Sequence, residues 1–133
     1  MATSPDGVTW TSRASGFVGN TIYTVTYGNG LFVIAGGSGK VSTSPDGVTW
    51  TARTSNFGTL QLYGSTYGGG KYIAVGQQGK LTSSPDGVTW TFLATGFTSN
   101  FSSIAYGAGQ YVVVGTGGTL VTSPDGVTWT SQT

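Results

Sequence analysis

Few side chains in this sequence could do chemistry. Among 133 residues there are four Asp and five Lys or Arg, and there is no Glu, His or Cys. A histidine base, a thiolate nucleophile, a disulfide and a zinc site of Cys and His ligands are therefore excluded. The carboxylates all lie in one repeated heptapeptide, as Asp6, Asp46, Asp86 and Asp125. Because an acid and base pair needs carboxylates in different surroundings, we expect structural aspartates, no enzyme activity, no metal and no cofactor.

A second group of candidates lies in the long connections between the repeats, where binding residues are often found. An Arg, an amide and an aromatic ring together could bind the hydroxyl groups and the ring of a sugar. The predicted ligand-binding residues are Arg13, Asn20 and Tyr23 in the first connection, Arg53, Gln61 and Tyr63 in the second, and Asn100 in the third. A further candidate of the same kind is the pair Gln77 and Gln78.

An internal repeat organises the whole chain. The heptapeptide Ser-Pro-Asp-Gly-Val-Thr-Trp occurs four times, at residues 4–10, 44–50, 84–90 and 123–129. Between successive copies come a Tyr-Gly-x-Gly sequence and an apolar run. A period of about 40 residues is typical of repeat architectures. We therefore predict a single repeat domain over residues 1–133, with a surplus hairpin strand at 1–10 and repeats at 11–50, 51–90 and 91–129.

Each repeat predicts four short antiparallel strands, because β-branched and aromatic residues alternate with polar ones and no helical period is present. In the first repeat, we predict a strand that ends at Tyr27, a second at 31–35 that is covered on both faces, and a third at 40–44. Pro-Asp-Gly suits a bulged type I turn, in which Gly takes the left-handed position. We predict that an outer strand follows at 48–51, and that the outer strand of the last repeat lies at 127–133.

The heptapeptide resembles the Asp-box, the Ser-x-Asp-x-Gly-x-Thr-Trp hairpin of the sialidase-like β-propellers. The resemblance implies an all-β propeller of four-stranded antiparallel blades, in which each Asp caps its turn by accepting backbone N–H bonds. It also implies that the aromatic residues pack between neighbouring sheets, as Trp10, Trp50, Trp90 and Trp129. Asp and Gly are adjacent here, so the hairpin is one residue shorter than in the family. Sialidase activity is not implied, because the family uses three Arg and a Glu, whereas this chain has two Arg and no Glu.

Three blades in one chain are too few to close a ring, since propellers have about four to eight. We therefore predict a homo-oligomer, and favour a dimer that places six blades in one ring. The alternative is a β-trefoil monomer, whose three four-stranded units match this length without a partner. For residues 1–13 three roles stay open: exchange with a partner, addition of an edge strand, or a remnant of a longer repeat array.

The function that we expect is a multivalent, lectin-like module with repeated carbohydrate sites, in which avidity raises a weak single-site affinity. The alternative is a structural or scaffold repeat protein, such as a propeller fragment or an engineered self-assembling array, with no specific ligand. A net charge of +1 with scattered cations argues against a nucleic-acid partner. No apolar run approaches the roughly 20 residues of a membrane span, and no signal peptide is recognised. We therefore expect no membrane partner, and the localisation stays open.

Overall fold

The strands of this chain form three four-stranded antiparallel sheets and one two-stranded hairpin. The computed structural model describes residues 1–132. Within each sheet, consecutive strands pair as a meander, so the strand order follows the chain. We call the three sheets the first, second and third blades, and we call the two-stranded sheet the N-terminal hairpin.

The bounds of the strands confirm the predicted pattern of four short strands in each repeat. The N-terminal hairpin consists of β1 (Ala2–Thr3) and β2 (Thr11–Ser12). The first blade consists of β3 (Ile22–Gly28), β4 (Leu31–Gly36), β5 (Val41–Ser44) and β6 (Thr51–Arg53). The second consists of β7 (Leu62–Gly68), β8 (Lys71–Gly76), β9 (Lys80–Ser84) and β10 (Thr91–Ala94). The third consists of β11 (Phe101–Gly107), β12 (Gln110–Gly115), β13 (Leu120–Ser123) and β14 (Thr130–Ser131).

The outer strand of the first blade begins later than the sequence predicts. The expected position is 48–51, but β6 begins at Thr51. The reason is that Asp46 holds the preceding backbone in the turn. Its Oδ1 accepts hydrogen bonds from the N–H groups of Val48 and Thr49, both at 2.8 Å. These N–H groups are therefore not available to a neighbouring strand.

The last outer strand is shifted in the same way. The sequence predicts it at 127–133, whereas β14 is confined to 2 residues after the turn, and residue 133 lies outside the described residues. The blades are consequently offset from the sequence repeats at 11–50, 51–90 and 91–129. Each blade forms its fourth strand from the residues that follow the Trp of its heptapeptide.

All four heptapeptides form the same hydrogen-bonded turn. In the second copy, Gly47 has a φ of 73°, and its N–H donates to Ser44 Oγ at 2.8 Å. This left-handed glycine is the one that the predicted bulged turn requires. Asp46 caps the turn, which is the role that the Asp-box resemblance implies, although Asp and Gly are adjacent. The equivalent acceptors in the other copies are Asp6, Asp86 and Asp125.

Acid is expected to weaken the fold through these turns. The backbone N–H groups of Thr49 and Val48 lower the pKa of Asp46 from its ordinary value of 3.8 to about 2. Equivalent N–H donors lower the pKa of Asp6 and Asp125 to about 2. A carboxyl whose pKa is lower in the folded chain stabilises it above the unfolded pKa, and this contribution is lost as the pH falls through the folded pKa. We expect a urea midpoint that is constant from about pH 7 to 5 and falls between about pH 4 and 2.

Asp46→Asn tests this assignment, because an amide oxygen accepts the same N–H bonds but does not titrate. We expect a lower urea midpoint near neutral pH, since a neutral acceptor binds N–H groups less strongly than a carboxylate does. We also expect a shallower decrease of the midpoint in acid. A decrease as steep as that of the unchanged protein would show that the acid sensitivity has another origin.

The hydrophobic core lies between the blades. Each blade has a leading face, toward the blade before it in the chain, and a trailing face, toward the blade after it. The interface between the first and second blades buries Val33, Ala35, Val41, Tyr72, Ala74 and Trp90. The interface between the second and third blades buries Ile73, Val75, Leu81, Ile104, Tyr111 and Val113. Strand β8 is thus covered on both faces, as predicted. Strand β4 is covered on its trailing face, but Phe32 on its leading face is only half-buried and borders a cleft, so the cover predicted for residues 31–35 is incomplete. Strand β12 exposes Val114 on its trailing face.

Two repeated contacts hold neighbouring blades together at their first strands. The ring of Tyr67 lies directly over Gly28, so that a Cβ on this glycine would stand 2.1 Å from the ring Cγ. The hydroxyl group of Tyr72 donates a hydrogen bond to the Gly28 carbonyl. The second interface repeats both contacts with Gly68, Tyr106 and Tyr111. Burial raises the pKa of the Tyr72 and Tyr111 hydroxyl groups, which therefore remain protonated donors.

The four Trp side chains differ in burial, although their heptapeptides are identical. Trp90 is 3% exposed between the first and second blades, and Trp50 and Trp129 are half-buried. Trp10 departs from the expected packing role, because its side chain is 63% exposed. The physical reason is that residues 1–132 place no blade in front of the N-terminal hairpin.

The three blades form part of a β-propeller and do not close a ring within residues 1–132. No strand in this part of the chain pairs with a strand of another blade, so the β-trefoil alternative is wrong. The leading face of the first blade and the trailing face of the third therefore stay partly uncovered. The homodimer that would cover them stays a prediction. No helix among the described residues is long and apolar enough to cross a membrane.

Candidate functional site

A β-bulge lies near the start of the first strand in every blade. In the first blade, the pairing of β3 with β4 skips Tyr23. The corresponding pairings skip Tyr63 in the second blade and Ser102 in the third. A bulged residue has no partner in the ladder, and the bulge turns its side chain away from the regular alternation of the strand. Each blade therefore presents one side chain at the same end of its first strand.

These bulged residues meet in one cleft. Tyr23, Tyr63 and Ser102 line a cavity of about 370 Å³ together with Asn100 and Thr116, and we call this site the bulge cleft. The two tyrosine rings meet edge to face, with centroids 5.2 Å apart and an interplanar angle of 69°. This geometry is a favourable one for aromatic pairs. Three blades thus contribute to a single site rather than to three repeated sites.

Hydrogen bonds hold the Asn100 side chain in place at the edge of the bulge cleft. Asn100 Oδ1 accepts the backbone N–H of Gln78 at 3.0 Å. The backbone N–H of Asn100 donates to Thr116 Oγ1 at 3.2 Å. Lys80 Nζ donates to Gln78 Oε1 at 2.7 Å, so this cation is held beside the network. Asn100 is therefore oriented by its neighbours before any ligand arrives.

The lining of the bulge cleft is uncharged and can bind neutral polar groups. It offers phenol and alcohol hydroxyl groups, an amide and aromatic edges, and it includes no carboxylate or cation. Such groups hydrogen-bond to neutral polar atoms and pack against flat or apolar ones. Within residues 1–132, no group of three or more His, Cys, Asp or Glu could hold a metal ion.

The predicted arginines lie elsewhere. Arg13 Nε donates to Thr3 Oγ1 at 3.0 Å, and Arg53 Nε donates to Thr43 Oγ1 at 2.9 Å. Each guanidinium is thereby tied across the outer pair of strands of its own sheet. The structure brings the predicted residues Tyr23, Tyr63 and Asn100 together, but it does not bring an Arg to them.

The other predicted amides are also outside the bulge cleft. Asn20 lies beside the N-terminal hairpin, where its Nδ2 donates to the Val18 carbonyl at 3.0 Å. Gln61 joins the turn before β9 through its backbone: its N–H donates to Gln77 Oε1 at 2.9 Å, and its carbonyl accepts the Gln77 N–H at 3.0 Å. Gln77 therefore fixes the backbone just before the Tyr63 bulge.

Sequence reasoning missed Ser102 and Thr116. Both could have been found from the repeat alone, because Ser102 occupies the repeat position of Tyr23 and Tyr63, and Thr116 occupies that of Gln77. A serine at a repeat position that otherwise holds tyrosine does not by itself indicate a binding residue. Its importance becomes visible only when the three equivalent positions are found in one cleft.

Comparisons with known proteins agree with this architecture. Residues 1–95 match the family model of the DUF6242 beta propeller domain. The fold is similar to that of YCF48 bound to D1 peptide, with a TM-score of 0.72 and 17% identity over 84% of this chain and 39% of that one. It is also similar to YCF48 from Cyanidioschyzon merolae, with a TM-score of 0.69 and 16% identity over 84% of this chain and 37% of that one. No curated protein matches the sequence.

These comparisons set the level at which the chain is classified. At 17% identity, similarity to the YCF48 structures shows the fold alone, and the chain spans only 39% of the first structure's length. Membership of the sialidase-like Asp-box family, which the heptapeptide suggests, stays a prediction. The family match covers residues 1–95, which include the N-terminal hairpin, the first blade and the second blade. The chain therefore belongs to the DUF6242 β-propeller domain family.

Proposed function

We propose that this chain is a non-catalytic binding domain whose bulge cleft holds a short, uncharged polypeptide segment on a rigid β scaffold. The proposal rests on one observation: three separate blades each turn one bulged side chain into the same uncharged cleft. The two core clusters between the sheets do not include the bulged residues, and the contact between bulged residues of neighbouring blades is that of the Tyr23 and Tyr63 rings. Packing of the core therefore does not account for the convergence of all three side chains.

The chemistry of the bulge cleft matches a polypeptide. Backbone C=O and N–H groups need neutral donors and acceptors, which the tyrosine and serine hydroxyl groups and the Asn100 amide supply. The edge-to-face rings of Tyr23 and Tyr63 offer an apolar wall for a side chain of the segment. One similar structure is YCF48 bound to D1 peptide, which supports a peptide role for a propeller of this shape.

The scaffold alternative is better supported than the lectin-like interpretation. The glycan hypothesis depends on an Arg, an amide and an aromatic ring in one site, and neither Arg13 nor Arg53 lines the bulge cleft. No comparison points to a carbohydrate ligand. The predicted homodimer likewise has no support from the comparisons, so a polypeptide is the partner that we propose.

The test replaces both tyrosines by the serine that the third blade already carries. A phage-displayed library of random dodecapeptides is selected on the unchanged protein, and one enriched synthetic peptide is titrated by calorimetry. We expect Tyr23→Ser with Tyr63→Ser to weaken its binding by about tenfold or more, because buried tyrosine contacts dominate such interfaces. The melting temperature should change little, since Tyr23 is exposed and neither ring belongs to the core.

Tyr27→Ser is the matched control, because it removes an exposed tyrosine from the opposite end of β3. Binding should be unchanged in this variant. Three results would contradict the proposal: no enriched peptide, equal loss in the control, or binding on a glycan array that disappears only in the double variant.

A further inference from the structure

The N-terminal hairpin is built as the outer half of a blade. In this hairpin Thr3 pairs with Thr11, and Thr3 Oγ1 accepts a hydrogen bond from Arg13 Nε. The first blade repeats this pairing and this hydrogen bond one repeat later, between β5 and β6. Because the heptapeptide turn is also the same, residues 1–13 fold as the third and fourth strands of a blade.

A large cleft occupies the place of the two inner strands of that blade. Its volume is about 690 Å³, and we call it the edge cleft. Residues 1–3 form one wall, and the leading face of the first blade forms the other. The apolar side chains in this wall and its surroundings are Phe17, Ile22, Val25, Phe32 and Ile34. Val25 is 63% exposed, whereas Ile104, its counterpart in the third blade, is 6% exposed.

The two complete interfaces of the chain indicate what covers a leading face of this kind. The inner strands β3 and β4 of the first blade pack against β7 of the second. The inner strands β7 and β8 of the second blade pack in the same way against β11 of the third. In both cases, the cover is a β-hairpin made of the first and second strands of a repeat. The same cover on the first blade would also pair with the free edge of β1.

The leading face of the first blade is most similar to that of the third. Val25 and Ile34 are neighbours across the β3 and β4 ladder, as Ile104 and Val113 are across β11 and β12. Both pairs are apolar and branched. The cover of the third blade is the inner hairpin of the second, which contributes buried Ile73 to that interface. Residues 61–79 of this chain therefore have the pattern that fits the edge cleft.

The leading face of the second blade differs, and so does its cover. There Ser65 replaces the branched residue, and its hydroxyl group bonds to Thr24 Oγ1 at 2.8 Å and to Thr26 Oγ1 at 2.6 Å. Against Val25, these two threonine hydroxyl groups would be buried without such a partner, which is unfavourable. The inner hairpin of the first blade, residues 21–39, is therefore a poor fit to the edge cleft.

We propose that the edge cleft binds a β-hairpin segment with the inner-strand pattern of the second blade, and that this segment completes a further blade with the N-terminal hairpin. Main-chain hydrogen bonds along β1 and burial of the apolar wall would both stabilise the complex. A folded second copy is not the occupant. The inner strands of its second blade are covered, since Tyr72 and Ile73 are buried. Those of its third blade already pair with the outer strands β13 and β14, which would take the place of the N-terminal hairpin. The partner is a repeat segment not yet folded into a blade.

Synthetic peptides from the chain itself test the proposal by calorimetric titration into the full chain. The peptide of residues 61–79 should bind saturably with one site per chain. The peptide of residues 21–39 is the matched control, and its affinity should be lower by a factor of about ten or more. No saturable binding by the first peptide, or equal binding by both peptides, would overturn the proposal.

Variants of the full chain locate the site. Val25→Lys places a charge in the apolar wall without disturbing the core, and it should weaken binding of the 61–79 peptide by about tenfold or more. Val18→Lys is the control, because Val18 is 87% exposed and does not line the edge cleft. Equal loss in both variants would contradict the assignment.

Phe32→Tyr is expected to increase affinity by about 2- to 10-fold. Its counterpart Tyr111 donates to the carbonyl of Gly68 in the covering hairpin, a hydrogen bond that Phe32 lacks. Loss of binding in Phe32→Tyr would argue against a hairpin placed as in the second interface. The double variant at Tyr23 and Tyr63 should bind the 61–79 peptide normally, so failure of the bulge cleft and of the edge cleft are distinguishable.

Sedimentation velocity of the unchanged chain over a range of concentrations separates the proposed hairpin from a second copy. The proposal predicts a monomer, in contrast to the homodimer that the number of blades in the sequence predicts. A concentration-dependent dimer that Val25→Lys abolishes would assign the edge cleft to a second copy of the chain and would overturn the proposal.

Discussion

Replacing Trp90 by Ala is expected to lower the free energy of unfolding by about 3 to 5 kcal/mol, as for other large buried aromatic residues. Its side chain is buried between the first and second blades, in one cluster with Val33 and Tyr72. The indole N–H donates to the Gly87 carbonyl at 2.9 Å. Truncation would therefore leave a cavity between two sheets and an unpaired carbonyl in the turn. Urea unfolding at neutral pH measures the loss.

Trp10→Ala is the control that the chain itself provides. The same seven residues surround Trp10, and its indole N–H also donates to a turn carbonyl, that of Gly7, at 3.3 Å. Because its side chain is mostly exposed, we expect a change of less than about 0.5 kcal/mol. The pair of variants thus isolates packing between blades from the contribution of the turn. Similar losses in both would mean that the Trp acts mainly within its own hairpin.

This contrast also explains which parts of the structure the sequence could predict. The Pro-Asp-Gly turn and the inner strands are local features that turn chemistry and alternation predict, whereas the outer strands predicted at 48–51 and 127–133 begin later than expected. Burial of a particular Trp depends on whether a blade lies in front of it, and four identical heptapeptides contain no information about that. The same limit applies to the leading face of the first blade, where Val25 is exposed while its counterpart Ile104 is buried.

The sequence predicts some of the residues that line the bulge cleft but not their grouping, for a geometric reason. Tyr23, Tyr63 and Asn100 were selected from the connections between repeats, and they do share a cleft. The arginines lie in the same connections but at the outer strands, since Arg53 ends β6 and Arg13 directly follows β2. Three strand spacings of about 4.8 Å separate the first strand of a blade from the fourth, so the backbones of Tyr23 and Arg53 are about 14 Å apart across the sheet. Proximity along the sequence therefore did not mean proximity in the sheet.

The β-bulges cannot be predicted from the alternation of residue types along the strands. A strand with an extra residue still reads as an alternating strand in the sequence, because the shift shows only in the partner's register. The three copies place Tyr, Tyr and Ser at the bulge, so even the repeat comparison gives a mixed signal. Pairing of Phe101 with Gly115, followed by Ser103 with Val114, reveals the bulge at Ser102.

Gly68→Ala is expected to destabilise the chain by about 2 to 4 kcal/mol, through overpacking and a weakened hydrogen bond. The added Cβ would stand 2.1 Å from Tyr106 Cγ and 2.6 Å from Tyr106 Cβ. These atoms are close to the backbone, so a rotation at the end of the side chain does not relieve the overlap. Moving the blades apart would also stretch the bond from Tyr111 Oη to the Gly68 carbonyl, now 2.5 Å.

Gly107→Ala is the matched control for this prediction, since Gly107 ends the first strand of the third blade as Gly68 ends that of the second. Nothing lies within 4 Å of a Cβ at Gly107, because no described residue forms a following blade. We expect this substitution to change the unfolding free energy by less than about 0.5 kcal/mol. Equal effects at the two glycines would mean that strand propensity, and not contact between blades, decides the cost.

A double-mutant cycle identifies the atoms responsible. Tyr106→Ala alone should destabilise the chain, because it removes a ring packed against the core of the second interface. In that background Gly68→Ala should cost little, since the overlapping ring is gone, and the coupling should reach about 1 to 3 kcal/mol. Additive costs would exclude the tyrosine ring as the cause. A strong coupling would establish that the glycine at the end of the first strand leaves space for the tyrosine ring of the following blade. This contact is a direct physical reason for the recurring Tyr-Gly pair at residues 27–28, 67–68 and 106–107.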